Sequence, residues 1–205
     1  MIETPVQRFY RFQAPIYNLT RWAFLRGRKT AITALDIKPD SSVLEIGCGT
    51  GSNFRHVAAK LDNHRGRLVG VDFSRPMLRR ARSRVMRAGW PNVHLVVADA
   101  AALPFRETFD RIYLSYSLAM MPEWESVLDR AVRLLAPTGR LVALDFGRFE
   151  GWGPAGSLIR SYLRANHVDT ERPMLQHLKR RFGHVEMRYW LGGYNFVAVA
   201  SQAPT

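Results

Sequence analysis

Short runs of aliphatic and β-branched residues alternate with stretches of helical period through the middle of the chain. Val43-Leu44-Glu45-Ile46 is the first clear strand pattern, followed by Arg67–Asp72, Val93–Ala98, Phe109–Ser115 and Arg140–Phe146. Helical patterns fall between them at about 52–61, 74–88 and 123–135. In the second of these, Leu78, Ala81 and Val85 share one face at a helical period, while Arg75, Arg79 and Arg82 lie on another. That is the signature of an amphipathic helix laid on a sheet with a solvated arginine stripe, a reading preferred here over a nucleic-acid site. The alternation predicts an α/β fold, a mostly parallel sheet with helices on both faces. Pro91, Pro104, Pro122 and Pro137 fall in the connections, where a missing N–H costs no ladder bond. The rhythm breaks near the end, where His184–Trp190 and Tyr194–Ala200 are joined by Leu191-Gly192-Gly193. This glycine-bearing link predicts an antiparallel hairpin closing the sheet.

Residues 1–40 follow a different pattern. No acid lies between Glu3 and Asp36, whereas Arg8, Arg11, Arg21, Arg26, Arg28 and Lys29 do, interleaved with Phe9, Tyr10, Phe12, Tyr17, Trp22 and Phe24. One or two helices placed before the sheet are expected there. With no repeats and no linker-like tract, the 205 residues read as one domain, a helical segment at 1–40 and an α/β core at 41–205. Apolar residues at 47% and charged residues at 23% are ordinary for a globular chain, but thirty Lys and Arg against seventeen Asp and Glu give a formal net charge of +13. Such a surface attracts polyanions, either nucleic acid or an anionic membrane face, unless it is simply a generally basic exterior. The apolar runs are too short to span a bilayer, and no basic stretch followed by an apolar one opens the chain. The single cysteine, Cys48, excludes an intrachain disulfide. A reducing, cytoplasmic setting is therefore expected.

The chemistry concentrates after the first strand. Glu45-Ile46-Gly47-Cys48-Gly49-Thr50-Gly51 stands between a strand and a helix pattern. Glycines let the backbone turn tightly and approach a ligand, and the helix start offers unpaired N–H groups. The alternative is a plain strand-to-helix turn. A dinucleotide fingerprint would read G-x-G-x-x-G, but here the third glycine comes one residue early. Asp72 closes the second strand, 21 residues beyond Gly51, where an acid can accept both hydroxyl hydrogens of a ribose. Ser74 reads first as a helix cap. Asp99 follows the third strand.

The E-x-G-x-G-x-G form resembles motif I of class I methyltransferases, whose loop holds the amino-acid end of S-adenosyl-L-methionine. The resemblance extends through Gly70-Val71-Asp72-Phe73-Ser74, Ala98-Asp99-Ala100, Phe109-Asp110 and Leu134-Leu135-Ala136-Pro137-Thr138-Gly139, with Thr138 standing where the family usually has glycine. It implies a Rossmann-like, seven-stranded sheet. The implied cofactor site comprises Glu45, Gly47, Cys48, Gly49, Gly51, Asp72, Phe73, Met77, Asp99, Ala100 and Ser115. In it Asp99 lies near the adenine amino group, and Phe73 and Met77 pack on the adenine faces. Core packing is an equal reading for Met77, and space-filling a better one than nucleophilic chemistry for Cys48.

The acceptor is less legible, because the cofactor carries its own leaving group and the protein mainly positions and desolvates. The residues after the fourth strand read Leu114-Ser115-Tyr116-Ser117-Leu118-Ala119-Met120-Met121-Pro122. They lack the Asn/Asp-Pro-Pro-Tyr turn of enzymes that methylate nucleobase amines, so no nucleic-acid partner is expected. Tyr10 to Arg21, Tyr116-Ser117-Leu118, Leu144-Asp145-Phe146-Gly147 and Gly192-Gly193-Tyr194-Asn195-Phe196 are similar to small bacterial lipid N-methyltransferases. The match is nearest to those that methylate the amine of diacylglyceryl homoserine. Phosphatidylethanolamine N-methyltransferases and ubiquinone/menaquinone methyltransferases are near relatives. Tyr17-Asn18 stands where family members often carry Tyr-Asp. The resemblance implies an acceptor region containing Tyr10, Tyr17, Tyr116 and Tyr194, whose hydroxyls orient an amine and whose rings support a developing ammonium.

A lipid acceptor requires a visit to the membrane, and the basic, aromatic N-terminal segment suits an interfacial helix on an anionic surface. Those aromatics also suit a lid over the cofactor. Two other classes remain open: a quinone or other small-molecule methyltransferase, and a non-catalytic cofactor- or nucleic-acid-binding module. The histidines at 56, 64, 94, 167, 177 and 184 show no metal-ligand spacing, so no metal is expected. Each reads as a surface residue, although His167 and His177 fall in a segment that could cap an acceptor pocket. No obligate protein partner is evident.

Overall fold

The computed structural model describes residues 26–201. Helix α1 (Arg28–Ala34) precedes strand β1 (Ser42–Ile46), and then come α2 (Phe54–Ala58), β2 (Arg67–Asp72), α3 (Arg75–Ala88), β3 (Val93–Val97), β4 (Phe109–Ser115), α4 (Trp124–Leu134), β5 (Leu135–Phe146), α5 (Gly153–Ala165), α6 (Met174–Lys179), β6 (His184–Trp190) and β7 (Asn195–Ser201). Seven strands form one sheet in the order β3-β2-β1-β4-β5-β7-β6. All neighbouring pairs are parallel up to β5, while β7 runs antiparallel to both β5 and β6. This is the expected Rossmann-like sheet with its terminal hairpin.

The strand order reverses between β1 and β4, and the crevice at the carboxyl ends of these strands is where open α/β sheets bind ligands. The central strands β1 and β2 are buried on both faces, which explains their nearly continuous apolar runs. Gly70 interrupts β2 for a packing reason. A Cβ there would stand 2.6 Å from the ring tip of Phe54, so the glycine makes room for the aromatic that leads α2.

Element boundaries follow local bonding. The helix expected at 52–61 is regular only over Phe54–Ala58, because Lys60 and Leu61 donate three residues back to Val57 and Ala58 and tighten the chain into turns. Helix α3 matches its pattern closely: Ser74 caps it, Met77, Leu78 and Ala81 are buried, Val85 packs partly against the core, and Arg75, Arg79, Arg80, Arg82 and Arg87 are exposed. Strand β5 begins five residues earlier than Arg140 because Leu135 pairs with Phe109 before a bulge resets the register at Arg111. Among the described residues no helix is long and apolar enough to cross a membrane.

Candidate functional site

The glycine loop is built by β1 and its neighbours. The N–H groups of Gly47 and Cys48 both donate to the carbonyl of Val71, at 2.9 Å each, tying the loop to the end of β2. Gly47, Gly49 and Gly51 all take positive φ, at 72°, 56° and 69°. Their surroundings differ. A Cβ on Gly47 would meet Ser117 at 2.6 Å, and one on Gly51 would meet the Phe54 ring at 2.5 Å, so packing alone demands both glycines. A Cβ on Gly49 would have no neighbour within 4 Å. Gly49 therefore faces open space, and the concave backbone there is a cradle that a ligand could fill.

Two acids accompany this loop. Asp72 accepts from the Gly49 N–H at 2.8 Å through one oxygen and from the Ser74 N–H at 2.9 Å through the other. Each carboxylate oxygen keeps a further lone-pair direction for a ligand hydroxyl. Burial raises the Asp72 carboxyl above its ordinary range, against the pull of those two bonds. Glu45, near the end of β1 and just before the loop, is 1% exposed. Its Oε1 accepts from Asn53 at 2.7 Å, while Oε2 is buried without a hydrogen-bond partner. Burial pushes its carboxyl up to about 7, partly offset by the Asn53 bond and by Arg28. An orphaned carboxyl oxygen at the end of β1, where the open glycine loop begins, fits a polar, positively charged ligand terminus such as the amino-acid end of S-adenosyl-L-methionine.

The remaining predicted cofactor positions lie along the same edge. Asp99 is exposed and caps the turn Ala100–Ala102 by accepting from the Ala101 N–H at 2.9 Å. Phe73 presents its ring at 39% exposure just past Asp72. Met77 is buried, yet it is not part of the continuous apolar core. Cys48 is buried, which raises its thiol well above the usual range and keeps it protonated, as a space-filling role requires. Ser115 is buried at the end of β4.

Beyond β4 the chain turns sharply. Tyr116 adopts φ 51°, a left-handed conformation uncommon for a tyrosine. Its hydroxyl donates to the Arg26 carbonyl at 2.6 Å and accepts from Asn195 at 3.0 Å, while Asn195 also donates to Arg26 at 3.2 Å. The hydroxyl thus ties the chain just before α1 to the start of β7. Burial raises the Tyr116 and Tyr194 phenols, so both remain neutral near pH 7.

A chain of rings continues from there. Tyr116 meets Phe146 at 4.9 Å between centroids, Phe146 meets Tyr194 at 6.0 Å, and Tyr194 meets Phe149 at 5.5 Å and Trp152 at 6.0 Å. A ladder holds this group together: the N–H groups of Gly147, Phe149 and Gly151 donate to the carbonyls of Tyr194, Gly193 and Gly192. Glycine is required where the two strips touch, since a Cβ on Gly147 would lie 2.3 Å from the Gly193 carbonyl oxygen. Of the four predicted acceptor tyrosines, Tyr116 and Tyr194 are thus joined through Phe146. Tyr10 and Tyr17 lie outside the described residues.

Several contributors went unnoticed in the sequence. Phe149 and Trp152 sit in a glycine-rich stretch, Gly147 to Gly156, whose spacing was the available signal. Asn53 gave none beyond following the loop. Arg172 is half-buried beside the post-β4 turn; its guanidinium donates to the Leu118 carbonyl at 2.7 Å and to that of Met121, and pairs with Asp169 at 3.6 Å. The expectation of a surface histidine fails for His177. It is 6% exposed, its Nε2 lies 2.8 Å from Asp129, and its ring packs edge-on to Trp124. The reason is that α6 docks its inner face on α4. His167 is exposed as expected. No cluster of potential metal ligands occurs among the described residues.

Comparison with known proteins places this architecture. A family model described as a methyltransferase domain matches residues 43–139. This stretch is similar to a methyltransferase domain. It holds the glycine loop, Asp72, Asp99 and the β4 end, whereas Phe146, Phe149, Trp152 and Tyr194 lie beyond it. A demethylmenaquinone methyltransferase of Shouchella clausii is 32% identical over 119 residues, covering 58% of this chain and 50% of that protein. The chain spans about half the length of the curated relatives it matches. The fold extends further than the sequence match. A SAM-dependent methyltransferase from Aquifex aeolicus superposes with TM-score 0.69 at 18% identity over 96% of this chain and 98% of that one. A phosphoethanolamine N-methyltransferase of Haemonchus contortus, in complex with phosphomonomethylethanolamine and S-adenosylhomocysteine, superposes with TM-score 0.75 at 20% identity over 92% of this chain and 47% of that one. The chain thus shares the Rossmann-like fold of S-adenosylmethionine-dependent methyltransferases, and the open cradle at Gly49 fits that cofactor.

Proposed function

We propose that this chain transfers a methyl group from S-adenosyl-L-methionine to the amine of a membrane lipid headgroup. The observation that carries the acceptor class is the ring group Tyr116, Phe146, Tyr194, Phe149 and Trp152 at the carboxyl edge of the sheet, next to the glycine loop. When bound, the cofactor supplies an activated methyl on a sulfonium. The glycine cradle and Glu45 hold its amino-acid end, Asp72 takes the ribose hydroxyls, and Phe73, Met77, Asp99 and Ala100 surround the adenine. An amine that attacks a methyl gains positive charge as the bond forms. Aromatic faces stabilise that charge without a competing nucleophile, and neutral phenols serve better here than carboxylates that would trap the product. Tyr116, locked by Arg26 and Asn195, fixes the first ring in place. Desolvation within the ring group keeps the amine oriented for in-line attack.

A lipid acceptor also accounts for the charge of the chain, since a +13 surface is drawn to anionic bilayers. The N-terminal segment with Arg8, Arg11 and Arg21, which lies outside the described residues, would reach the same surface. The test is incubation of the purified chain and S-adenosyl-L-methionine with mixed micelles of ethanolamine and homoserine lipids, followed by lipid mass spectrometry. Successive additions of one methyl mass to the amine support the proposal. Methylation of a demethylated quinone with none on lipid amines would support a second reading, which rests on the 32% identity to the demethylmenaquinone methyltransferase.

A further inference from the structure

The connection between α5 and α6 reaches across to the chain that follows β4. Asp169 donates from its N–H to the Ala119 carbonyl at 2.9 Å. The Arg172 guanidinium, its side chain 11% exposed, donates to the Leu118 carbonyl at 2.7 Å and to that of Met121. These acceptors belong to one short helical turn, Leu118–Met120, and the residue that ends it. Asp145 of β5 meets the same turn through a donor. It is 1% exposed; its Oδ2 accepts from the Ala119 N–H and its Oδ1 from the Phe146 N–H, both at 2.9 Å. A short turn leaves N–H groups at its start and carbonyls at its end without partners inside it. A buried acid takes one of the former and a largely buried arginine two of the latter, in charge-assisted bonds stronger than neutral ones.

The turn in its place bears on the glycine loop. Ser117 donates from Oγ to the Ile46 carbonyl at 3.2 Å. A Cβ on Gly47 would lie 2.6 Å from the Ser117 Cβ and 3.0 Å from the Met121 Cε. Both ends of the turn therefore press on the first glycine of the loop, whereas Gly49 has open space above it. Asp72 and Asp99 lie elsewhere, at the ends of β2 and β3. In the order β3-β2-β1-β4 these strands stand on the far side of β1 from the turn. The sheet thus separates two halves of the ligand site, the nucleoside half beside β2 and β3 and the amino-acid half beside Gly47 and the turn.

We propose that Arg172 and Asp145 are positioning residues for the amino-acid end of the cofactor, fixing the turn at 117–121 against Gly47. They act through the turn and need not touch the ligand. The inference rests on the reading of the glycine loop as an S-adenosyl-L-methionine site. The probes are S-adenosyl-L-methionine and methylthioadenosine, which has the adenine and ribose but no amino-acid end. Calorimetry on the full chain gives both affinities for the wild type, Arg172→Gln and Asp145→Asn, with far-UV circular dichroism and urea unfolding as checks of the fold. Glutamine loses the charge and the fork that serves two carbonyls, and asparagine cannot accept from both N–H groups through carboxylate oxygens. Each variant should bind S-adenosyl-L-methionine about tenfold more weakly and methylthioadenosine within about twofold of the wild type. Arg172→Lys, which keeps the cation, should recover part of the loss. If the other two variants fail to fold, Arg172→Lys gives the same comparison on a smaller scale.

Equal weakening of both ligands overturns the inference, because general loosening of the fold would act on both halves of the site. Unchanged S-adenosyl-L-methionine affinity in folded variants overturns it while leaving the cofactor reading intact. A wild type that binds neither ligand defeats the cofactor reading itself, and the inference with it.

Discussion

Glu45→Gln isolates the electrostatic cost built into the glycine loop. Glu45 is 1% exposed, and its carboxyl is pushed from 4.5 up to about 7 because burial outweighs the Asn53 bond and the attraction of Arg28. The acid is therefore protonated in the folded protein over a range in which the unfolded chain is already ionised. Where the native state binds more protons than the unfolded state, stability falls as pH rises. The Glu45 contribution is thus intact below about pH 4.5 and declines until the folded carboxyl has ionised, above about pH 7. At about 1.4 kcal/mol per pKa unit, the full decline is on the order of 3 kcal/mol. Glutamine keeps an oxygen for Asn53 and places an amide where the orphaned Oε2 now lies, but it does not titrate. Urea unfolding of both proteins at intervals from pH 4.5 to 8.5 gives the stability difference, in which all other titrations cancel. The variant should gain on the wild type by about 3 kcal/mol across that window. Parallel curves over the whole range would refute the reasoning, because they would mean that Glu45 ionises in the folded protein as easily as in the unfolded chain.

Asp72→Ala should weaken S-adenosyl-L-methionine binding by roughly 1–3 kcal/mol in calorimetry, since it removes both the proposed ribose contact and the bond that shapes the loop at Gly49. Gly49→Val should bind the cofactor still more weakly, because a branched side chain would fill the open cradle and strain a residue at φ 56°. Tyr116→Phe should cost about 1 kcal/mol of stability by urea unfolding, through loss of its bonds to Arg26 and Asn195, and should lower turnover with cofactor affinity nearly unchanged. Replacing Arg8, Arg11 and Arg21 by Glu should reduce sedimentation with anionic vesicles far more than with neutral ones, and equal binding of both proteins at low salt would show those arginines to be merely solvated.

The sequence by itself determined those features that depend on neighbours along the chain. The alternation of strand and helix periods, the glycine loop between β1 and α2, the acid closing β2, the cap at Ser74 and the arginine stripe of α3 are all local, and each was legible. The sequence also marked Tyr116 and Tyr194 as candidates, through segments that resemble a family rather than through any spacing between them. Only the tertiary structure decided what those residues meet. Pairing of β7 with β5 brings Tyr194 to Phe146, and the ladder from Gly147 to Gly151 carries Phe149 and Trp152 onto the same group. Docking of α6 on α4 turns His177 from an expected surface residue into a buried partner of Asp129. The protonation of Glu45 likewise comes from the layers packed over β1, since nothing in its flanking residues desolvates it. Even α5 escaped notice, because its inner face is only Gly156 with the half-buried Ile159 and Leu163, while Leu158 and Tyr162 stay exposed, which blurs the periodicity by which a surface helix announces itself. Period and turn chemistry are set by residues a few positions apart, whereas burial, charge state and the meeting of rings depend on strand pairings that join residues tens of positions apart.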